Sequence, residues 1–170
     1  MRTRQRDRDL PGPGEPWSEI RRGLWMGGHY WTDPAGEWRP VVVREEFDLV
    51  VSLFTRSGHG PGPRTEHLVA EVPDGPLAPG QLDLVQRAAR TVATAVREGR
   101  STLVRCHSGY NRSGLVVGQA LIELGHDADE AIGLVRRGRS PWALNNEVFV
   151  DYLTAGLDLA RLLTGLEPSG

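Results

Sequence analysis

The sequence contains no lysine, so its 20 basic residues are all arginines. They are offset by 22 acidic residues, which leaves a formal net charge of only -2 at pH 7. A chain with this balance has no general attraction for nucleic acid or for an anionic membrane surface. Any affinity for an anionic ligand must therefore come from a local arrangement of donors and charges.

Cysteine is nearly absent, with a single residue at position 106. One cysteine excludes both a disulfide within the chain and a cysteine-rich metal site. No apolar run approaches the roughly 20 residues that a membrane-spanning helix needs. The first residues carry charge but no apolar stretch of the kind found in secretory signals. These absences predict a cytoplasmic protein.

The composition that remains fits one domain. The 170 residues, of which 39% are hydrophobic, are enough to bury a core. Residues 1–16 are charged and then rich in proline and glycine, which indicates a flexible N-terminal arm. We expect a single domain over residues 17–165 and a short C-terminal tail over residues 166–170.

Apolar patterning predicts strands first and helices later along the chain. Short apolar runs indicate strands at 20–28, 41–43, 48–54, 67–72 and 102–104. Helical periodicity predicts helices at 79–99, 112–125, 127–137 and 146–163. This order predicts an α/β fold in which helices pack on both sides of a central mixed sheet.

The most informative segment is LVRCHSGYNRSG, residues 103–114. It places Cys106 and Arg112 at the two ends of a loop between a predicted strand and a predicted helix; residues 106–112 are called the Cys106 loop below. The backbone amides of such a loop can turn inward and form a nest for an anion. The following helix adds the positive end of its dipole. The residues expected to line this anion site are His107, Ser108, Gly109, Tyr110, Asn111 and Arg112.

The side chains of the loop suit a nucleophilic reaction at phosphorus. The positive surroundings favour a thiolate at Cys106, and the thiolate is the nucleophilic form. Arg112 offers a planar and permanently charged fork for two phosphate oxygens. Gly109 lets the backbone pass close to a ligand, and the Ser113 hydroxyl can hydrogen-bond the sulfur and ease its departure. We therefore predict that Cys106, Arg112 and Ser113 are catalytic.

These residues resemble the phosphate-binding loop of the protein tyrosine phosphatase superfamily, and most closely that of its compact dual-specificity branch. The resemblance extends from about Ile20 to Leu159, with weaker matches in GLWMGG and PWALNNEVF. It implies a dual-specificity phosphatase-like fold and hydrolysis through a cysteinyl-phosphate intermediate, without a metal or cofactor. It also implies an upstream aspartate that protonates the leaving group. Asp74, in VPDGP, fits this role, and Asp83 is the second choice.

One position departs from the resemblance. Relatives usually carry histidine immediately before the nucleophile, where this chain has Arg105. A side chain at this strand end is expected to point away from the pocket. Within the loop, His107 and Tyr110 are expected around the pocket mouth, and Asn111 is expected to brace the backbone. Asn145 or Asn146 is expected mainly as a helix cap, and the resemblance implies orientation of the attacking water as the alternative role.

The tryptophan and histidine side chains outside the loop are expected to have structural roles. Tryptophans near the N-terminus, which include Trp25, Trp31 and Trp38, are expected to pack against the sheet. The histidines outside the loop have no metal-like spacing and are expected at the surface; these are His29, His59, His67 and His126. Residues 55–65, rich in glycine and proline, are expected to form a solvent loop.

The function implied by the resemblance is hydrolysis of phosphotyrosine in proteins, with phosphoserine and phosphothreonine left open. An alternative is a phosphatase of a small non-protein ester, such as an inositol phosphate, a nucleotide or a biosynthetic intermediate. A third interpretation is a phosphate-binding module without catalysis, which the intact set of Cys106, Arg112, Ser113 and Asp74 disfavours. The expected partner is thus a phosphorylated protein or a small phosphoester.

Overall fold

The structure, a computed structural model, describes residues 10–166. The strands are β1 Trp17–Arg21, β2 Leu24–Gly27, β3 Tyr30–Thr32, β4 Trp38–Pro40, β5 Leu49–Ser52, β6 Glu66–Val69 and β7 Thr102–Arg105. The helices are α1 Pro79–Arg97, α2 Arg112–Glu123, α3 Ala128–Gly138, α4 Glu147–Ala155 and α5 Leu157–Leu166.

The main sheet has five strands in the order β1-β2-β7-β5-β6. Strands β2, β7, β5 and β6 run parallel, and β1 pairs antiparallel with β2 at one edge. The sheet is therefore mixed, as the sequence predicted. Strand β7 lies at its centre and leads into Cys106 at its carboxyl end. In open α/β sheets ligands bind outside the carboxyl ends of the strands, which is where this loop lies.

The two faces of the sheet are covered by different elements. On one face, alternate strand residues such as Met26, Val51 and Val104 pack with buried residues of all the helices in one large core. On the other face, Val50 and Leu103 pack with the loop residues Val41, Val43 and Phe47 and with the tryptophans at 17, 25 and 31. The expectation of helices on both sides is thus corrected, because an apolar loop and aromatic rings cover the second face.

Several predicted element boundaries are also corrected. The run predicted as one strand at 20–28 is a hairpin, β1 and β2, which turns at Gly23 with a φ of 82°. The helix predicted over 146–163 divides into α4 and α5 at Gly156, whose φ of 95° ends the first segment. Residues 41–43 form a loop rather than a strand, in which Val41 and Val43 are buried in the second core and Val42 is exposed.

Residues 10–16, assigned by the sequence to the N-terminal arm, contact the domain. The carbonyl of Pro13 accepts a 2.7 Å hydrogen bond from Thr32 N, and that of Pro11 accepts one of 2.8 Å from the Tyr110 hydroxyl. This segment therefore lies against the domain, while residues 1–9 are outside the described range. Within residues 10–166, no helix has the length and apolarity required to cross a membrane.

Candidate active site

Cys106 lies directly after the central strand, at the start of the loop that leads into a helix. Strand β7 ends at Arg105 and α2 begins at Arg112, so the Cys106 loop spans the gap between them. The Cys106 side chain is only 2% exposed, and its Sγ lies 3.3 Å from the Ser113 Oγ. The predicted pairing of these two side chains is present at the base of the loop.

The backbone carbonyls of the loop are bound one after another by donors that lie outside it. His29 donates to two of them and Arg139 to two more. The bonds are His29 Nδ1 to Cys106 O at 2.8 Å, His29 N to His107 O at 2.7 Å, Arg139 Nη2 to Ser108 O at 3.1 Å, Arg139 Nε to Gly109 O at 3.2 Å and Leu144 N to Tyr110 O at 3.0 Å.

This pattern fixes the direction of the loop amides. In a trans peptide unit the C=O and the next N–H point in opposite directions. Carbonyls held on the outside therefore direct the N–H groups of residues 107–111 toward the inside of the loop. Consecutive inward N–H groups, together with the N-terminus of α2, form an arrangement of donors that is suited to bind an anion.

Close backbone approach explains the glycines around the loop. Gly109 has a φ of 80°, and a Cβ there would lie 2.6 Å from the Gly27 carbonyl group and 2.7 Å from Arg139 Nη2. A Cβ on Gly28 would lie 2.6 Å from His107 O. Gly27 and Gly28 at the end of β2 therefore pack directly against the backbone of the Cys106 loop, and a larger residue at Gly28 or Gly109 would clash with it.

Arg112 extends toward the residues that precede Asp74. Its Nη1 donates a long 3.4 Å hydrogen bond to Val72 O, and its Cζ lies 5.5 Å from the centroid of the Phe54 ring. Its Nε is buried and has no hydrogen-bond partner within the described residues. A buried donor without an acceptor is costly, so a ligand oxygen at this position would be strongly favoured.

The side-chain amides of two asparagines bind the carboxylate of Asp74. Asn146 Nδ2 donates to Asp74 Oδ1 at 2.8 Å, and Asn111 Nδ2 donates to Asp74 Oδ2 at 3.1 Å. Asn111 belongs to the Cys106 loop, and its Oδ1 also accepts a 2.9 Å bond from Asn146 N. Asn146 caps α4 as predicted, since its Oδ1 accepts from Val148 N at 3.1 Å. The two asparagines thus connect the carboxylate to the loop.

Asp83, the second choice for the acid, lies elsewhere. Its carboxylate forms a 2.9 Å ion pair with Arg161, which joins α1 to α5. It does not line the cavity that Asp74 shares with Arg112 and His107. Between the two candidates, the geometry favours Asp74.

Arg105 points away from the cavity, as predicted, and is almost completely buried. Its guanidinium donates to Ser52 Oγ at 3.1 Å, His59 O at 2.9 Å and Gly60 O at 2.6 Å. Burial lowers the pKa of Arg105 to about 10, which leaves it charged at neutral pH. Its hydrogen bonds to His59 O and Gly60 O hold the 55–65 loop against the carboxyl end of the central strand.

His29 was expected at the surface but is 1% exposed. Burial, assisted by the nearby Arg105, His59 and His107, lowers the pKa of His29 to about 4. The ring is therefore neutral at physiological pH. Because its partner is a carbonyl, Nδ1 must carry the proton and donate it to Cys106 O. The imidazole contact to the nucleophile thus comes from a residue remote in sequence, while Arg105 occupies the adjacent position.

A cavity of about 720 Å³ opens above the loop and includes Asp74, His107 and Arg112 in its lining. Four aromatic rings line this cavity and are called the aromatic wall below: Tyr30, Trp38, Phe54 and His107. Tyr30 stacks on Trp38 at 4.4 Å and contacts His107 at 5.1 Å, and Phe54 meets His107 at 5.2 Å. Leu10, Gly12 and Thr32 line it as well, and Arg56 brings the 55–65 loop to its edge.

Two aromatic side chains differ from their expected positions. Tyr110 is 2% exposed and its hydroxyl binds Pro11 O, so it packs behind the loop instead of standing at the pocket mouth. Trp38 is 57% exposed on the small β3-β4 sheet, so it does not pack against the main sheet as Trp25 and Trp31 do. His107 lines the cavity as expected.

Sequence reasoning missed the supporting residues of this site. Arg139, near the end of α3, and His29, after β2, contact the loop from far away in the chain. Neither belongs to a motif that signals such a role.

Comparison with known proteins identifies the class of fold. No protein-family model matches the sequence, and no curated protein matches it. Human DUSP28 is similar in structure with a TM-score of 0.66 and 23% identity, covering 92% of this chain and 99% of its own. A mouse putative dual specificity phosphatase, complexed with zinc tungstate, has a TM-score of 0.60 and 24% identity, with coverages of 91% and 94%.

Another similar structure is the human tyrosine phosphatase-like serine/threonine/tyrosine-interacting protein, with a TM-score of 0.58 and 17% identity over 82% of this chain and 93% of its own. The chain therefore has the fold of the compact dual-specificity and tyrosine phosphatases, and the predicted resemblance in fold is confirmed. Because the identities are this low, the chemistry must be argued from the residues of the site itself.

Proposed function

We propose that the chain is a cysteine-dependent phosphatase that hydrolyses phosphotyrosine in proteins through a cysteinyl-phosphate intermediate. The observation that carries this proposal is the position of Cys106 Sγ, 3.3 Å from Ser113 Oγ, at the base of a loop whose carbonyls are bound on the outside. That arrangement places inward N–H donors around a nucleophilic sulfur, which suits a phosphate dianion.

In the first step the Cys106 thiolate attacks phosphorus and the bond from phosphorus to the ester oxygen breaks. Asp74 gives its proton to the departing oxygen, and Arg112 holds two of the remaining phosphate oxygens. The buried Nε of Arg112, which has no partner within residues 10–166, supports that role. Charge that develops on the phosphoryl oxygens is stabilised by donors already in place.

In the second step water attacks the phosphorus of the intermediate and the phosphorus–sulfur bond breaks. Asp74 takes the proton from the water, so it returns to its starting state when inorganic phosphate leaves. The Ser113 hydroxyl donates a hydrogen bond to the departing sulfur and stabilises the thiolate. The asparagine amides that bind Asp74 keep the carboxyl group beside the Cys106 loop through both steps.

The aromatic wall supports a ring-bearing substrate. Its Trp38 ring is more than half exposed at the cavity edge, although large apolar rings are normally buried. A phenyl ring entering the cavity would stack there for about 0.5–1.5 kcal/mol beyond its area burial. Phosphotyrosine presents such a ring next to its phosphate, whereas phosphoserine and phosphothreonine do not.

A second candidate is a small ring-bearing phosphoester that is not part of a protein. It is favoured by the cavity wall that the chain's own N-terminal residues provide, since Leu10 and Gly12 line the cavity beside Trp38. A cavity of about 720 Å³ falls within the size range of small-molecule sites. A wall on that side restricts the space available to a flanking peptide.

The test is turnover of phosphotyrosine and phosphothreonine peptides and of a panel of small phosphoesters by the wild type and by Cys106→Ser. We expect turnover by the wild type, none by Cys106→Ser, and retained binding of inorganic phosphate by that variant. Trp38→Ala should lower kcat/KM about three- to tenfold on phosphotyrosine and less on phosphothreonine. Phosphate release by Cys106→Ser at the wild-type rate would overturn the assignment of the nucleophile.

We also propose that the protein acts in the cytoplasm. Thiols remain reduced in that compartment, and the proposed chemistry depends on the chain's single cysteine. Fractionation of cells that express the full chain tests this location, and recovery in an oxidising compartment would contradict it.

A further inference from the structure

Arg139 is the one side chain that binds two consecutive carbonyls of the Cys106 loop within residues 10–166. Its Nη2 donates to Ser108 O at 3.1 Å and its Nε to Gly109 O at 3.2 Å. These two carbonyls belong to the middle peptide units of the loop. A planar guanidinium fork is suited to bind two adjacent acceptors at once.

The other half of the same guanidinium binds the N-terminal part of the chain. Arg139 Nη1 donates to Glu15 O at 2.8 Å and to Ser18 Oγ at 3.2 Å. The side chain therefore connects three segments remote in sequence, namely residues 15–18, the Cys106 loop and the end of α3. Such a cross-linked side chain loses little freedom when a ligand binds, because it is already ordered.

The charge of Arg139 is as relevant as its hydrogen bonds. Burial lowers the pKa of Arg139, and this effect is opposed by attraction to Tyr110, Cys106 and Glu15. No carboxylate forms an ion pair with it within the described range. Its positive charge is therefore balanced only in part, by the more distant Glu15, and it can stabilise negative charge on the sulfur or on a bound phosphate.

We propose that Arg139 is a positioning residue for the reaction: it holds the Ser108 and Gly109 carbonyls outward, so that the N–H groups of Gly109 and Tyr110 face the phosphate, and its charge favours the Cys106 thiolate. This proposal rests on the proposed phosphatase function for its catalytic consequence. Its two physical parts, anion binding and thiolate formation, are measurable without turnover.

The experiment compares Arg139→Met, which removes both fork and charge, with Arg139→Lys, which removes the fork but keeps the charge. The first readout is the affinity for inorganic phosphate, measured by calorimetry in a Cys106→Ser background. The second is the rate of Cys106 alkylation by iodoacetamide as a function of pH, which follows the thiolate because it is the reactive form. No other cysteine interferes, since Cys106 is the only one in the sequence.

Arg136→Met is the matched control. Arg136 lies on the same helix and also donates to two backbone carbonyls, Ala143 O at 3.1 Å and Leu144 O at 3.0 Å. Its loss removes two partly buried hydrogen bonds, compared with four for Arg139, and neither of them is to a carbonyl of the Cys106 loop. A change in melting temperature shared by Arg136→Met and Arg139→Met therefore reports general destabilisation.

We expect Arg139→Met to weaken phosphate binding about tenfold or more and to move the alkylation profile to higher pH. Arg139→Lys should weaken phosphate binding as well but leave the alkylation profile near that of the wild type. Arg136→Met should change neither. If Arg139→Met does not fold, Arg139→Lys still tests the fork through phosphate affinity, and an unchanged affinity there would overturn the proposal.

The proposal is also overturned if a folded Arg139→Met keeps both wild-type readouts, or if Arg136→Met shifts them equally. Failure of the proposed function has a different signature. In that case the wild type would turn over no phosphoester, while phosphate affinity and the alkylation profile would still depend on Arg139.

Discussion

The Cys106 loop and Asp74 lie at the same cavity but are held by different interactions. Consecutive backbone carbonyls of the loop, from Cys106 to Tyr110, accept hydrogen bonds from His29, Arg139 and Leu144. Asp74 is held instead through its side chain, by the amides of Asn111 and Asn146. The proposed anion site thus consists of backbone groups that other segments hold in position, whereas the proposed proton donor is held through its own side chain.

This difference determines how each part should respond to substitution. Damage to the backbone of the loop should remove anion binding and stability together, because the same hydrogen bonds serve both. Damage around Asp74 should affect proton transfer while phosphate binding persists.

The largest effect is expected from Gly109→Ala. A Cβ at this positive φ would meet the Gly27 carbonyl group at 2.6 Å, and backbone cannot move as a flexible side chain does. We expect a loss of more than about 4 kcal/mol in the free energy of unfolding or a folded protein without phosphate affinity. Chemical denaturation and calorimetry measure the two quantities.

Gly99→Ala is the matched control for Gly109→Ala. Gly99 has a φ of 73° with nothing within 4 Å of a Cβ, so only conformational strain of about 1–2 kcal/mol is expected, with activity unchanged. Equal costs at the two positions would show that the contact between Gly27 and the loop is unimportant.

The next largest effect is expected from Asp74→Ala. Loss of the proton donor should lower kcat by about a hundredfold or more on an alkyl or phenyl phosphate. The loss should be smaller on p-nitrophenyl phosphate, whose leaving group needs less protonation. Asp83→Ala, which breaks only the ion pair with Arg161, should leave kcat unchanged. Equal losses on good and poor leaving groups would remove Asp74 from the role of acid.

A smaller effect is expected from Asn146→Asp. This substitution keeps the cap of α4 but removes the hydrogen bond that Asn146 donates to Asp74. Aspartate caps a helix about as well as asparagine, so α4 should remain stable. The new carboxylate replaces a donor to Asp74 with a like charge, which makes loss of the Asp74 proton less favourable. The basic limb of the kcat–pH profile should therefore move to higher pH. A profile identical to that of the wild type would contradict this coupling.

A separate effect, on the pH dependence of stability, concerns the support given by His29. Its pKa of about 4 in the folded protein lies below the 6.5 of an unperturbed histidine. Its neutral form therefore contributes stability that is present above about pH 6.5 and is lost as the pH falls toward 4. The linkage amounts to about 3 kcal/mol at most.

His29→Asn tests this linkage, because its amide can still donate to Cys106 O but does not titrate. The free energy of unfolding of the variant should fall less between pH 6.5 and 4 than that of the wild type. His126→Gln, at a partly exposed ion pair with Glu130, is the control and should keep the wild-type pH dependence. A parallel decline in His29→Asn and wild type would exclude His29 as the source.

Much of the framework was predictable because it is encoded locally. The periodicity from Leu82 to Val96 predicted α1, and the observed helix agrees closely with the prediction. The Asp127 cap predicted the start of α3, and its carboxylate accepts from Glu130 N at 2.8 Å. The hairpin at Gly23 and the break at Gly156 were missed, since isolated glycines within apolar runs do not reveal their φ angles.

The sequence by itself determined the composition of the Cys106 loop and its place between a strand and a helix, because Cys106, Arg112 and the residues between them are consecutive, and the proposed chemistry follows from these residues. Only the tertiary structure decided what supports that loop. His29, Arg139, Asn146 and Trp38 reach the site from separate elements, and their contacts depend on how the sheet and helices pack. A local sequence pattern does not specify which remote segments pack together, so the contacts of these residues follow only from the folded structure.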